Sequence, residues 1–107
     1  MYIKIKNKKL NIEELDTFIK KFKSLKFVFK PIEHGFLIRK KRCASTYFFC
    51  QNVDILFVNK NNEIIKISRN IRPENRIRKF KTRYIYYLPL NSTKELKIGD
   101  IIELKKN

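Results

Sequence analysis

The chain has 107 residues, of which 43% are hydrophobic and 13% aromatic, and its formal net charge at pH 7 is +16. This length accommodates one domain, residues 1–107, and the apolar content supports a compact core, which excludes a wholly disordered chain. Two glycines are too few for a glycine-rich phosphate loop, and no apolar run reaches the roughly 18 residues of a transmembrane helix. Because residues 1–6 also lack the apolar stretch of a signal peptide, we expect a cytoplasmic protein.

The amino-terminal part of the chain combines a strand pattern with a helix pattern. Residues 2–6 alternate, with Ile3 and Ile5 on one face, and predict a half-buried strand. Asn11 suits a helix N-cap, because Glu14 follows three residues later. Apolar side chains then recur at helical spacing at Ile12, Leu15, Phe18, Ile19, Phe22 and Leu25. This stripe predicts one amphipathic helix packed on a sheet, and the lysines around it leave a membrane-surface helix as the alternative.

The rest of the chain is typical of short strands separated by polar turns. Strand patterns occur at residues 26–30, 35–39, 45–50, 53–58, 63–68, 83–88 and 101–104. The fourth and fifth of these flank a polar turn and predict a β-hairpin. Residues 69–82 are predicted to be a polar loop, and residues 92–96 a single helical turn. Together the elements predict an α+β fold, a small, barrel-like, mostly antiparallel β-sheet with one amphipathic helix near the N-terminus.

Two segments carry a resemblance to a known family. The first contains Thr46, Tyr47, Phe48, Val53, Asp54, Ile55, Leu56 and Phe57, and the second contains Tyr87, Leu88, Pro89, Leu90, Gly99 and Asp100. In this pattern the chain resembles the short variant of domain-of-unknown-function family 192, with Ser45 and Phe49 where His and Met are common. The resemblance implies a barrel-like fold and no assigned activity. It implies structural or ligand-binding roles for Thr46, Phe48, Asp54, Phe57, Gly99 and Asp100.

Positive charge is concentrated in two parts of the sequence. The first is Arg39, Lys40, Lys41 and Arg42, and the second is Arg69, Arg72, Arg76, Arg78, Lys79, Lys81 and Arg83. Such clusters repel themselves unless counter-ions or an acidic partner bind, and the planar guanidinium of arginine suits bidentate phosphate contact. We therefore predict a non-enzymatic binding module whose basic face contacts an acidic partner, with nucleic acid bound without sequence specificity as the leading hypothesis. A lysine-rich composition that simply covers solvent-exposed faces is the alternative explanation.

Aromatic residues raise two further hypotheses. Phe80, Tyr84, Tyr86 and Tyr87 stand next to the second basic segment and could stack on bases. Alternatively, a small ligand or a protein could bind a sheet surface lined by Tyr47, Phe48, Phe49, Tyr84, Tyr86 and Tyr87.

Asp54 is the one acid within an apolar strand pattern. Alternation places Val53, Ile55 and Phe57 on one face and Asp54 with Leu56 on the other. A covered carboxylate must accept hydrogen bonds, so we expect backbone N–H groups or an arginine of residues 69–83 to bind it. A minority hypothesis makes Asp54 catalytic, with Asp100 as a partner that only the fold could supply.

Other reactive residue types give weaker patterns. His34 precedes Gly35 and is predicted to be an exposed turn histidine, and no catalytic triad is recognisable. One histidine and two cysteines do not form a metal-site pattern, so we predict no metal and no cofactor. In an extended strand Cys43 and Cys50 would lie about 23 Å apart, which predicts two reduced thiols.

Overall fold

The computed structural model describes residues 1–5, 8–14, 33–39, 43–45, 51–72, 75–79 and 81–105. These residues form eight strands: β1 (Tyr2–Ile5), β2 (Lys8–Glu14), β3 (Gly35–Arg39), β4 (Cys43–Ser45), β5 (Val53–Val58), β6 (Ile64–Ile71), β7 (Arg76–Arg78) and β8 (Tyr84–Leu88). Six of them make one sheet in the order β1-β2-β3-β8-β5-β6, and β4 pairs with β7 in a separate two-stranded sheet. All neighbouring strands are antiparallel except β2 and β3, which are parallel.

Apolar side chains cover both faces of the large sheet. One core cluster draws on all six of its strands and therefore fills the inside of the curled sheet: Ile3, Ile5, Ile12, Leu37, Leu56, Val58, Ile64, Tyr86, Leu88, Leu96 and Ile102. We call this side the inner face. A second cluster lies on the outer face and consists of Phe36, Val53, Ile55, Phe57, Ile85 and Tyr87, with Ile77 of β7 packed against it. The predicted alternation in β5 is thus confirmed, and all six residues of that central strand are buried.

Residues 97–105, the C-terminal segment, connect the two edges of the large sheet. Near β6, the Ile64 N–H donates to the Asp100 carbonyl at 2.9 Å and the Gly99 N–H donates to the Ile64 carbonyl at 2.8 Å. At β1, the backbones of Tyr2 and Lys105 exchange two hydrogen bonds of 2.8 Å. Both edge strands thereby gain backbone partners, which exposed sheet edges otherwise lack. The result is a curled six-stranded half-barrel.

The prediction of an α+β fold with an N-terminal helix is wrong for the part of the chain that the structure describes. The described residues contain no helix, and residues 11–14 belong to strand β2. Ile12 is buried in the inner core, Asn11 pairs with Tyr2 of β1, and Glu14 pairs with Leu37 of β3. Strand pairing on two sides outweighed the capping pattern, because propensity is a weak signal compared with tertiary contacts. The rest of the predicted helix, residues 15–25, lies outside the described residues.

Several predicted strands are confirmed. Residues 2–5, 35–39 and 53–58 are strands, and β5 and β6 form the predicted hairpin around a turn in which the Asn59 side chain accepts bonds from the N–H groups of Asn61 and Glu63. The predicted strand at 45–50 overlaps β4 only at Ser45. Segments 26–30 and 46–50, and with the latter Cys50, lie outside the described residues.

The carboxyl-terminal half contains the remaining differences. The polar loop predicted at residues 69–82 is wrong in part, because β6 continues to Ile71 and β7 follows at Arg76–Arg78. Residues 92–96 form hydrogen-bonded turns rather than a helical turn, and residues 101–105 make isolated bridges rather than a strand. No helix among the described residues has the length and apolar character needed to cross a membrane.

Candidate polyanion-binding surface

Asp54 lies on the inner face of β5, with 1% of its surface exposed. The pairing of β5 with β6 shifts register between Val53 and Ile55, and Asn70 beside this bulge has a positive φ of 55°. A bulge re-aims the backbone of the longer strand. Here the Asn70 N–H donates to Asp54 Oδ1 at 2.9 Å. The expected hydrogen bond from a backbone N–H group is therefore confirmed.

The second carboxylate oxygen of Asp54 is bound by the segment that follows β8. The Thr93 hydroxyl donates to Asp54 Oδ2 at 2.8 Å, and the Thr93 N–H points to the same oxygen at 3.4 Å. Thr93 is fully buried. Residues 89–96, which we call the lid segment, are thus anchored over one end of the inner core. We call that end of the sheet the Asp54 end.

Arg69 also forms hydrogen bonds with the lid segment. Its guanidinium donates to the Thr93 carbonyl at 3.0 Å and to the Leu96 carbonyl at 2.8 Å. We expected an arginine to bind the Asp54 carboxylate. Arg69 instead binds the backbone of Thr93, the residue whose hydroxyl donates to that carboxylate. One guanidinium nitrogen of Arg69 is therefore already engaged inside the protein.

The two acids Asp54 and Asp100 lie far apart on the sheet and have separate hydrogen-bond partners. Three donor groups surround the buried Asp54 carboxylate. Asp100 lies near the opposite end of β5, because it bonds Ile64, which pairs with Val58. Its own carboxylate accepts a bond from the Lys97 N–H at 2.9 Å. The two acids consequently do not form the paired-carboxylate site that an Asp54-based enzyme would require.

The other residues singled out by sequence occupy varied places. His34 lies 3.5 Å from the Glu13 carboxylate and packs its ring against Phe36 at 4.6 Å between centroids, with its side chain 44% exposed. Phe57 is buried on the outer face, and Gly99 adopts a positive φ of 99° in the turn before Asp100. Thr46 and Phe48 lie outside the described residues.

Tyr86 and Tyr87 are core residues rather than a stacking surface. Tyr86 is 1% exposed on the inner face and Tyr87 is 3% exposed on the outer face, so neither ring can stack on bases. Burial raises the pKa of Tyr86 to about 12, opposed by the positive charge of Arg39 and assisted by Tyr84 and Glu14. Tyr84 is half-buried beneath the Arg39 guanidinium, 5.4 Å from the ring centroid. The hypothesis of an aromatic ligand surface therefore gains no support from these rings, and residues 47–49 and Phe80 lie outside the described chain.

The structure divides the predicted basic face between the two ends of the sheet. Arg39 pairs with Tyr84, and Tyr84 pairs with Val58, so Arg39 and Arg83 lie at the end that carries the β5–β6 turn. We call this the hairpin end. Arg69 and Arg72 lie at the opposite, Asp54 end, since β6 runs there from Ile64. Arg39 also pairs with Glu14 at 2.9 Å.

Strand β7 carries two further arginines of the predicted face. Arg76 and Arg78 are exposed, whereas Ile77 between them packs on the outer core. This alternation directs both arginines away from the sheet that Ile77 contacts. Lys40, Lys41 and Arg42 lie outside the described residues.

Four cations meet at the hairpin end. Lys60 of the β5–β6 turn, Lys81 and Arg83 line one surface depression of about 520 Å³, together with Asn59, Asn61 and Thr82. Lys79 and Lys81 line the adjoining depression, which also contains Glu63. We call Lys60, Lys79, Lys81 and Arg83 the hairpin-end cluster. Sequence reasoning missed Lys60, although its position in the turn of a predicted hairpin could have placed it beside the end of β8.

The four cations of the hairpin-end cluster are exposed and have no close acidic partner among the described residues. Among the residues that the structure describes, no carboxylate lies within 4.0 Å of the charged nitrogens of these four side chains. All four residues are exposed. Exposed like charges that lie close together attract mobile anions, and Glu63 is the acid that lines one of the two depressions. The arrangement has the charge and exposure that suit phosphate or another polyvalent anion.

No protein-family model matches the chain, and no curated protein matches it. Two solved structures are similar in fold. A protein of unknown function from Novosphingobium aromaticivorans superposes with a TM-score of 0.79 at 17% identity, covering 96% of this chain and 82% of that one. A candidate transcription regulator from Sinorhizobium meliloti superposes with a TM-score of 0.76 at 20% identity, covering 90% and 82%. The chain is therefore a small β-rich protein with the fold of these two structures.

Proposed function

We propose that the protein is a non-enzymatic binding module whose hairpin-end cluster and β7 arginines bind the phosphate backbone of nucleic acid without sequence specificity. The observation that carries this proposal is the convergence of Lys60, Lys79, Lys81 and Arg83 without a carboxylate partner among the described residues. Cation–phosphate contacts dominate the non-specific affinity of proteins for nucleic acid.

The geometry supports phosphate contact over base recognition. Tyr86 and Tyr87 are buried, which removes two of the rings expected to stack on bases. Arg76 and Arg78 are exposed on strand β7, which directly precedes Lys79 of the cluster in sequence, so they add further positive charge to this part of the chain. A surface of this kind binds phosphate charge rather than recognising base edges, because recognition of base edges requires side chains that reach into a groove.

The similarity to a candidate transcription regulator agrees with a nucleic-acid partner. Because 20% identity carries the fold alone, the charge cluster remains the basis of the proposal.

Fluorescence anisotropy with a labelled duplex of about 20 base pairs tests the proposal across a range of salt concentrations. The logarithm of the affinity should fall linearly with the logarithm of the salt concentration. The triple variant Lys60→Gln, Lys81→Gln, Arg83→Gln should bind more weakly, and its slope should be shallower by roughly 2 to 3. A wild-type protein that binds no better at low salt than at moderate salt would refute polyanion binding.

A matched control changes three exposed lysines elsewhere: Lys8→Gln, Lys94→Gln and Lys105→Gln. It removes the same charge but leaves the hairpin-end cluster intact. We expect its affinity and slope to stay closer to the wild-type values than those of the cluster variant. Equal losses in the two triple variants would mean that net charge alone drives binding and would refute the site.

A further inference from the structure

The turn at the start of the C-terminal segment exposes two isoleucines. Ile98 is 68% exposed and Ile101 is 57% exposed, while most other large apolar side chains of the described chain are buried. Isolated surface isoleucines are ordinary, but two on one turn beside a charge cluster form an amphipathic surface. Neither residue contributes to the two core clusters, so the fold itself does not need these side chains.

Hydrogen bonds hold this turn in one conformation. The Asp100 N–H donates to the Lys97 carbonyl at 3.0 Å, and the Lys97 N–H donates to the Asp100 carboxylate at 2.9 Å. The Gly99 N–H bonds the Ile64 carbonyl at 2.8 Å, and the Ile102 N–H bonds the Asn62 carbonyl at 2.8 Å. Ile98 and Ile101 are therefore presented from a fixed backbone at the hairpin end, which lowers the entropy lost when they are buried in a partner.

Cations lie beside Ile98, which is three residues before Ile101. Ile98 lines the same depression as Lys79, Lys81 and Ile65, with Glu63 as the acid on its wall. The neighbouring depression adds Lys60 and Arg83. The hairpin end thus combines two exposed isoleucines with exposed, positively charged side chains.

We propose that the hairpin end also docks on anionic lipid membrane surfaces, with Ile98 and Ile101 entering the acyl boundary and the lysines contacting acidic headgroups. Apolar insertion and electrostatic attraction are the two contributions that hold a protein in the membrane interface, and lysine side chains can extend to the headgroups. A nucleic-acid backbone offers no apolar environment for the two isoleucines, so this inference goes beyond the function proposed above. It shares the lysines with that function and adds the isoleucines.

Vesicle flotation tests the proposal at about 0.1 M salt. Wild-type protein should float with vesicles that contain roughly one-third phosphatidylglycerol and should remain free with pure phosphatidylcholine vesicles. The double variant Ile98→Ser, Ile101→Ser should partition into the anionic vesicles roughly tenfold more weakly. Its melting temperature should match the wild type because both side chains are exposed.

Two comparisons separate this proposal from the preceding one. Leu90→Ser removes another exposed apolar side chain, 42% exposed and in the lid segment at the other end of the sheet, and should leave vesicle binding unchanged. The double isoleucine variant should retain wild-type affinity for duplex nucleic acid, whereas the cluster triple variant should lose both activities. Failure of the wild type to bind anionic vesicles, or equal binding by the double isoleucine variant, would overturn the membrane proposal and leave nucleic-acid binding untouched.

Discussion

Thr93 and Asp54 are 39 residues apart in sequence, and the Thr93 hydroxyl donates a 2.8 Å hydrogen bond to the Asp54 carboxylate. Both residues are essentially fully buried. This bond joins the lid segment to the central strand of the sheet. A buried carboxylate is stable only when its oxygens are satisfied, so the bond also explains how an acid can occupy a core strand.

We expect Asp54→Asn to lower the free energy of unfolding by about 1 to 3 kcal/mol, because an amide accepts weaker hydrogen bonds than a carboxylate and brings an NH2 group among donors. Urea denaturation measures this change. Any loss of nucleic-acid binding should follow the loss of folded protein. A variant with the wild-type melting temperature and no binding would instead make Asp54 a functional residue.

The pairing with Thr93 can be isolated by a double-mutant cycle. Thr93→Val removes the hydroxyl, and its effect should be non-additive with Asp54→Asn by about 0.5 kcal/mol or more. Thr82→Val is the matched control. Thr82 is also a buried threonine, but its hydroxyl donates to the Lys79 carbonyl near the hairpin end, so its effect should add to that of Asp54→Asn. Additivity in both cycles would contradict the proposed coupling.

Variants of Arg69 and Arg83 should distinguish an arginine that stabilises the fold from one that binds nucleic acid. Arg69→Met removes the bonds to the Thr93 and Leu96 carbonyls, so we expect it to cost about 1 to 2 kcal/mol of stability with little effect on nucleic-acid affinity. Arg83→Met should change stability by less than about 0.5 kcal/mol and should weaken binding. Urea denaturation and anisotropy on both variants check this pair, and the reverse pattern would contradict the assignment.

The sequence predicted those elements whose signals are local. Alternation in residues 53–58 and the polar turn after them depend on neighbouring residues, and both are confirmed. Residues 11–14 carry a capping pattern that is equally local, but there the strand is imposed by pairing with Tyr2 and Leu37. The residues next to 11–14 in sequence do not show that these strand-pairing partners exist.

The candidate site shows the same limit. The need of Asp54 for hydrogen-bond donors followed from burial alone, but the donors are supplied by a bulge at Asn70 and by the lid segment. Charge density identified Lys79, Lys81 and Arg83, whereas Lys60 joins them only because the β5–β6 turn lies beside the end of β8. The same density of positive charge in the sequence also pointed to Arg69, but its guanidinium donates to two backbone carbonyls of the lid segment.

Gly99 is expected to be required for its backbone conformation. Its φ of 99° is disfavoured for residues with a Cβ atom, while outside Gly99 and its two chain neighbours no atom lies within 4 Å of the position that a Cβ would take. Gly99→Ala should therefore cost about 1 to 2 kcal/mol through backbone strain alone. Ile98→Ala, an exposed change at the preceding residue, is the control and should stay within about 0.5 kcal/mol. Equal melting temperatures for Gly99→Ala and the wild type would show that the turn relaxes without cost.

Ionisation of Tyr86 should lower the free energy of unfolding at high pH. Burial raises its folded-state pKa from the ordinary 10.0 to about 12. Because the folded value is the higher one, the stabilisation by the neutral phenol is complete below about pH 10 and is lost as pH rises through about 12. Between about pH 8 and about pH 11.5 this loss should amount to about 2 kcal/mol.

Tyr86→Phe provides the comparison, because it keeps the ring in the core and removes the titrating group. All other side chains are the same in both proteins, so their contributions cancel in the difference. Urea denaturation of each protein at the two pH values should show a steeper loss for the wild type than for the variant. If both proteins lose the same free energy of unfolding, the Tyr86 phenol ionises in the folded protein as readily as in the unfolded chain.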